Sequence, residues 1–424
     1  SDNWYQQRER LQKQIMKRMK ELGINACLPG YSGMVPHDAK ERLGLDVADP
    51  GKWNDYKRPA FLQPTSKRFA EIASIYYKEQ QRLYGKADFY SMDPFHEGGN
   101  AGGVDLRKAG EAIMGAMKAV NPNAVWVVQA WGACPYPAMI KYLNNGDMLV
   151  LDLYSENRPQ WGDPESTWYR KEGFNGHDWA FCMLLNFGGN VGMFGKLQHV
   201  VDEYYKARQS KFASTMKGVG LTMEGIENNP VMYELVMELP WRDAKFSWKE
   251  WLHDYVEARY GNINNAKVHD AWQLLARSVY GAGAKIVEQG CHESVLCARP
   301  ALDVYQVSSW SEMEEFYNPD DVIRAARLMV EASHEVKSNA NFRYDLVDVT
   351  RQAIAEQARY VYDEVVAAYK AKDRKMFGYT TKRFLDILLQ QDRLLSSMPD
   401  FMVGGWIRSA RNLGQNEQER NHYE

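Results

Sequence analysis

The sequence predicts an α/β protein, a (β/α)8 TIM-type barrel lacking its first strands in this chain, followed by an all-α helical C-terminal domain. Short β-branched or aromatic runs alternate with longer amphipathic stretches up to about residue 250, the pattern of repeated βα units around a parallel sheet. Functional-looking residues recur where those runs end: Tyr31, Glu97, Trp131, Glu156, Asn186 and Glu224. A barrel builds its active site from the loops at that C-terminal face. From about Trp251 onward the strand signals fade and helical periodicity takes over.

Six strands are predicted, near Ile24–Pro29, Phe89–Asp93, Val125–Gln129, Met148–Leu153, Phe181–Asn186 and Val219–Thr222. Helical segments fall before, between and after them at Arg8–Leu22, Lys67–Leu83, Asp105–Val120 and Val231–Glu238. A closed barrel needs eight strands, and this chain opens directly on a helix, so two early strands are expected to lie outside it. The competing arrangement is an open doubly wound sheet of six strands. No Gly-x-Gly-x-x-Gly or Walker-type loop follows any strand, which leaves the nucleotide-binding version of that alternative with little support. The predicted domains are residues 1–250, the barrel, and residues 251–424, the helical domain. In the latter, Asp320–Val336, Tyr344–Ala371 and Thr381–Ser397 read as helices, and Asn318-Pro-Asp-Asp as a capped start. Tyr280–Ser309 reads as a linking loop region.

Composition narrows the function. With 424 residues, 45% hydrophobic and 12% aromatic, the chain has material for one large core and a second. A net charge of −3 without a block of like charge favours neither a phosphate backbone nor an anionic membrane as partner. Thirteen Trp and twenty-five Tyr suit a carbohydrate, whose C–H faces stack on aromatic rings, although most such rings belong to the core. The five cysteines form no CxxC pair, so neither a disulfide framework nor a zinc site is expected; Cys27 and Cys182 read as small buried hydrophobes. A loop disulfide between Cys291 and Cys297 is the weaker reading. No apolar stretch reaches the roughly 18 residues of a membrane helix. Histidines are scattered without a His-Glu-x-x-His spacing, and no Gly-x-Ser-x-Gly elbow occurs, so a metal enzyme and a serine hydrolase are both disfavoured and no cofactor is expected. The absence of any Asn-x-Ser/Thr acceptor favours a bacterial origin, with a secreted or periplasmic location expected.

Two glutamates stand at strand ends, Glu97 in Asp88-Phe-Tyr-Ser-Met-Asp-Pro-Phe-His-Glu-Gly-Gly and Glu224 in Gly218-Val-Gly-Leu-Thr-Met-Glu-Gly-Ile-Glu. A carboxyl pair cleaves a glycosidic bond when one member protonates the leaving oxygen and the other attacks the anomeric carbon or activates water. Glu97 is the candidate acid, with His96 beside it to bind substrate or orient the carboxyl. Glu224 is the candidate nucleophile, and Glu156, in Leu151-Asp-Leu-Tyr-Ser-Glu, competes with both. The plain alternatives are a solvated loop residue for Glu97 and a cap of the helix near Asn229-Pro230 for Glu224. Trp131 can form a sugar-stacking wall, while Asn186 and Asn190 can hydrogen-bond at the same rim; the plain reading of Asn-Phe-Gly-Gly-Asn is a tight turn needing positive φ.

Taken in order, Leu28-Pro-Gly-Tyr-Ser-Gly-Met-Val-Pro, Asp93-Pro-Phe-His-Glu-Gly-Gly, Val150-Leu-Asp-Leu-Tyr-Ser-Glu, Met183-Leu-Leu-Asn-Phe-Gly-Gly-Asn and Gly220-Leu-Thr-Met-Glu-Gly-Ile-Glu-Asn-Asn-Pro resemble the α-N-acetylglucosaminidase family, glycoside hydrolase family 89. The similarity continues through Glu238-Leu-Pro-Trp-Arg, Ala258-Arg-Tyr-Gly and Phe342-Arg-Tyr-Asp-Leu-Val-Asp-Val-Thr-Arg. The resemblance implies a retaining exo-hydrolase that removes terminal α-linked N-acetylglucosamine from a glycan, Glu97 falling on the acid/base, Glu224 on the nucleophile and Trp131 on an active-site tryptophan. His96 stands where some relatives carry Asn. Family members also have residues before and after the segment seen here, so a non-catalytic glycan-binding protein or an inactive fragment is the alternative.

Overall fold

The computed structural model describes residues 2–95, 99–185, 187–225, 228–284, 294–308, 311–312 and 315–424. It divides into two compact units, Ser1–Cys182 with Lys206–Gly220, and Met183–Tyr205 with Leu221–Glu424.

The first unit is organised by a six-stranded sheet: β1 (Cys27–Pro29), β2 (Phe89–Ser91), β3 (Val125–Ala130), β4 (Met148–Asp152), β5 (Asp178–Met183) and β6 (Met216–Leu221). Each strand lies beside the next in the chain, and the pairings from β1 to β5 are parallel, with registers such as Tyr90 opposite Trp126 and Val128 opposite Val150. That uninterrupted order is the order of a (β/α) barrel. A doubly wound sheet reverses its strand order at a switch point, and no reversal occurs here. The chain therefore folds as barrel strands followed by helices, and the open-sheet alternative is set aside.

The strands form where they do because parallel strands covered on both faces need continuous apolar runs. Trp126, Val128, Val150, Trp179 and Phe181 are fully buried, each such side chain stabilising the fold by about 1.5–3 kcal/mol. The Trp126 indole N–H donates to the Met92 carbonyl at 2.9 Å, so its one polar atom is satisfied. β5 and β6 approach closely, and only glycine fits at 220, where a Cβ would meet Cys182 Sγ at 2.6 Å. Cys182 is buried as expected. Cys27 is exposed instead, because β1 is an edge strand that turns only Leu28 inward. Cys297 is exposed, and Cys291, the other half of the loop-disulfide reading, lies outside the described residues.

Helix α1 (Asp2–Glu21) precedes the sheet and has no buried residue; pairs such as Lys13–Glu9 (2.5 Å) and Arg18–Glu21 (3.2 Å) decorate its surface. Helix α2 (Lys67–Tyr84) starts where Ser66 Oγ accepts the Phe69 N–H at 3.2 Å and buries Phe69, Ala73 and Tyr77 at helical spacing. Helix α3 (Leu106–Val120) is capped likewise by Asp105, which accepts from the Lys108 N–H. Between β1 and α2 the chain inserts a small antiparallel sheet of Met34–Val35, Ala60–Leu62 and Val47–Ala48, which the sequence reading did not anticipate. Only the short helix Pro137–Ile140 separates β3 from β4, and turns without a helix fill residues 153–177. Helix α4 (Leu197–Gln209) leads back to β6.

The second unit is helical: α5 (Pro230–Glu238), α6 (Trp248–Tyr260), α7 (Ala266–Arg277), α8 (Pro319–Val336), α9 (Ala340–Lys370), α10 (Arg374–Leu395), α11 (Val403–Arg411) and α12 (Glu417–Tyr423). Its starts obey capping chemistry: Asn318 Oδ1 accepts the Asp320 N–H at 3.1 Å with Pro319 in the first turn, and Asn339 Oδ1 accepts the Phe342 N–H at 2.9 Å. Leu235, Val256, Val268, Leu275, Met329 and Phe342 are among its fully buried side chains. Within the stretch read as a linking loop, Val295–Cys297 forms a 3-10 turn and Gln306–Ser308 pairs with Ser311–Glu312. No helix among the described residues is long and apolar enough to cross a membrane.

Candidate active site

Every predicted site residue follows a strand of the one sheet. Trp131 is the first residue beyond β3, Glu156 the fourth beyond β4, and Glu224 the third beyond β6. Glu97 and His96 follow β2 and Asn186 follows β5, but these three lie outside the described residues.

In the first unit Trp131 is fixed from both sides. Its backbone N–H donates to the Cys134 carbonyl at 3.1 Å and the Cys134 N–H returns a bond of 2.9 Å, closing a tight turn that contains the cis Cys134–Pro135 peptide. The Trp131 ring lies nearly parallel to Tyr154, 6.1 Å between centroids, and meets the edge of Trp168 at 4.5 Å. The Arg158 guanidinium covers Trp168 at 5.2 Å. Three rings thus make an apolar corner with a cation at its rim, the chemical type of surface on which a pyranose can stack.

Behind that corner stands a polar brace. Arg170 donates to the carbonyls of Pro135 (2.7 Å) and Ala133 (3.1 Å) and to Gln160 Oε1 (2.6 Å), while the Gln160 amide donates to the Gly132 carbonyl at 3.1 Å. The Gln160 backbone N–H donates to Asp152 Oδ2 at 2.9 Å. Burial pushes the Asp152 carboxyl up to about 7, and burial also pushes the Arg170 guanidinium down. Glu156, the competing glutamate, is buried within the same unit, and its charge adds to the burial that pushes the Tyr154 phenol up. Sequence reasoning missed Tyr154, Gln160, Trp168 and Arg170. They sit in loops without periodicity, and the only available signal was their density around an apolar strand end.

A cavity of about 470 Å³ opens at the ends of β1 and β2, lined by Gly30, Ser32, Phe61, Met92, Asp93 and Phe95 among others. It is large enough for a monosaccharide. Asp93 Oδ1 accepts the Gln129 N–H at 3.4 Å, tying the segment that runs into His96 and Glu97 to β3.

In the second unit Glu224 is exposed, and its Oε2 accepts the Gly188 backbone N–H at 2.7 Å. That donor is available because the turn after β5 is left-handed, with φ of 69° at Gly188 and 75° at Gly189. The tight-turn reading of Asn-Phe-Gly-Gly-Asn is therefore correct, and the turn has a chemical use: it aims an amide at the carboxylate. Asn190 is buried rather than poised at a rim. The same loop is fastened further on, where Asn229 Oδ1 accepts from the Phe194 N–H and the Tyr280 hydroxyl, both at 3.1 Å. Helix α9 contributes Gln352, which accepts the Met193 N–H at 3.3 Å, and Arg351, which donates to the Val191 carbonyl at 3.0 Å.

The family model described as the alpha-N-acetylglucosaminidase (NAGLU) tim-barrel domain matches residues 1–243, and that of the C-terminal domain matches residues 251–424. The chain belongs to the α-N-acetylglucosaminidase family. It is similar to the α-N-acetylglucosaminidase of Homo sapiens, 32% identical over 441 residues that span all of this chain and 57% of that protein. Among solved structures it is similar to the family 89 glycoside hydrolase of Clostridium perfringens in complex with PUGNAc, with a TM-score of 0.90, 31% identity and coverage of 99% of this chain and 48% of that one. A form of the C. perfringens protein with two glutamate-to-glutamine substitutions, in complex with its substrate GlcNAc-α-1,4-galactose, gives a TM-score of 0.91 at 30% identity, covering 99% and 47% respectively. The chain thus spans about half the length of these α-N-acetylglucosaminidase-family relatives.

Proposed function

We propose that the chain is a retaining exo-α-N-acetylglucosaminidase, with Glu97 alternating as acid and base and Glu224 as nucleophile. His96, Trp131, Glu156 and Asn186 then hold the terminal sugar, residues 1–250 form the catalytic barrel domain and residues 251–424 the helical domain. The observation that carries this reading is the Glu224 carboxylate at a strand's C-terminal end, oriented by the Gly188 N–H at 2.7 Å, in a chain of this family. Relatives named for the activity, and a C. perfringens relative whose two substituted glutamates accompany bound GlcNAc-α-1,4-galactose, support it.

The substrate's stereochemistry argues for an enzyme nucleophile. In an α-N-acetylglucosaminide the leaving oxygen at C1 is cis to the 2-acetamido group, so that group cannot attack from the opposite face. For retention an enzyme carboxylate must do so, whereas inversion would use a water held in a wider gap between the two carboxyls. Attack by Glu224 at C1, with the Glu97 proton passing to the leaving oxygen, gives a β-linked glycosyl-enzyme; Glu97 then takes a proton from the water that releases the sugar in its original α configuration. Retention requires the two carboxyls about 5–5.5 Å apart.

The test is hydrolysis of a chromogenic α-N-acetylglucosaminide. Turnover should vanish in Glu224→Ala, and azide should restore it in Glu97→Ala by replacing the missing base with an external nucleophile. Wild type that binds N-acetylglucosamine without turnover would instead establish a glycan-binding role resting on the Trp131, Tyr154 and Trp168 corner.

A further inference from the structure

The second unit carries a cluster that the glycosidase chemistry does not use. His253 and Glu257 are one turn apart on α6, and His269 faces them from α7. Glu257 Oε1 and His269 Nε2 are 2.6 Å apart, and the two imidazoles stack with centroids at 4.5 Å and planes 13° apart. One donor atom from each of the three residues lies within 4.8 Å of the other two. No Lys or Arg among the described residues pairs with Glu257, whose charged neighbour is His269 alone. A hydrogen bond accounts for His269 and Glu257 but leaves His253 merely stacked, with Asp254 at 3.7 Å as its charged neighbour. A shared cation satisfies all three.

We propose that His253, Glu257 and His269 bind a divalent transition-metal ion of the zinc class and thereby staple α6 to α7. Two imidazoles and one carboxylate are borderline donors that suit zinc, while calcium and magnesium require oxygen ligands. Tetrahedral bonds of about 2.0–2.1 Å place ligand atoms about 3.3 Å apart, so the Glu257–His269 contact opens by under an ångström. His253 is exposed and swings its ring inward to complete the set, and a water takes the fourth position. Neither the His-x-x-x-Glu spacing nor the distant His269 formed a recognisable motif in the sequence, because the third ligand arrives across a helix pair.

Cobalt(II) titration of the whole chain tests the site directly. One equivalent of Co²⁺ should develop visible tetrahedral d–d bands that Zn²⁺ bleaches and Mg²⁺ leaves unchanged. His253→Ala, at an exposed position, and His269→Gln, which keeps an amide donor towards Glu257, should each weaken binding at least about tenfold. Zn²⁺ should raise the thermal midpoint of wild type and not that of the double variant. Absence of a one-equivalent site in wild type, or the same affinity and the same thermal shift in the double variant, overturns the proposal.

Discussion

Replacing Asp152 by Asn should change how stability depends on pH. Asp152 is fully buried at the end of β4, with Oδ2 accepting the Gln160 N–H and Oδ1 making no hydrogen bond among the described residues. Burial raises its pKa from 3.8 to about 7. The native state therefore holds the proton more tightly than the unfolded chain. Stability from this group is fully present below about pH 4 and is lost as pH rises through about 7. Three units at about 1.4 kcal/mol each set a ceiling near 4 kcal/mol, of which about 2–3 kcal/mol falls between pH 5 and pH 8. Asn mimics the protonated acid in shape and cannot ionise. The variant should lie close to wild type at pH 5 and gain on it by up to about 2–3 kcal/mol at pH 8. Glu315 in the second unit, pushed up to about 8 by burial and by its neighbour Glu356, tilts both curves alike and cancels in the difference. Urea unfolding at the two pH values, with amide exchange of β3 and β4 as the local readout, measures the effect. Stability curves that stay parallel would refute the argument that Asp152 is held protonated by its burial.

Gly188→Ala places a Cβ in a left-handed turn at a cost of about 1–2 kcal/mol and displaces the amide that holds Glu224, so turnover of a chromogenic α-N-acetylglucosaminide should fall about tenfold or more while the thermal midpoint drops only modestly. Arg259→Met should cost about 3–5 kcal/mol in urea unfolding. The guanidinium makes paired contacts of 2.5 and 2.8 Å with Asp345, whose carboxyl is already pushed up by burial and also accepts the Tyr260 hydroxyl at 2.6 Å. Asp345→Asn added to Arg259→Met should recover part of that loss, since it removes the stranded charge.

The six strands were legible because buried parallel strands announce themselves as apolar runs, but their ends were not. The run Leu184–Leu185 is buried without belonging to the ladder, which drew the predicted β5 beyond its true end at Met183, while Lys217 and Gly218 hid the start of β6. Hydrophobicity reports burial, and backbone pairing is a separate matter. Two- and three-residue strands such as Met34–Val35 are too short to show any period. At the site, Trp131 and Glu224 stood out as chemistry-bearing residues at strand ends. Their supports did not: the Gly188 amide reaches Glu224 across 36 residues, and Arg170 reaches the Trp131 turn across 35. Such contacts are created by the fold, and no local pattern encodes them.

Helix α1 spans twenty residues yet buries none of them, and surface ion pairs of the kind it carries are worth only about 0–1 kcal/mol each. A helix held so weakly opens at far smaller free energy than the sheet, where Trp126 and Val150 are wholly enclosed. Amide exchange in α1 should therefore run far ahead of exchange in β3 and β4, so a single fold holds a readily opening helix and a sheet that opens only when the unit unfolds.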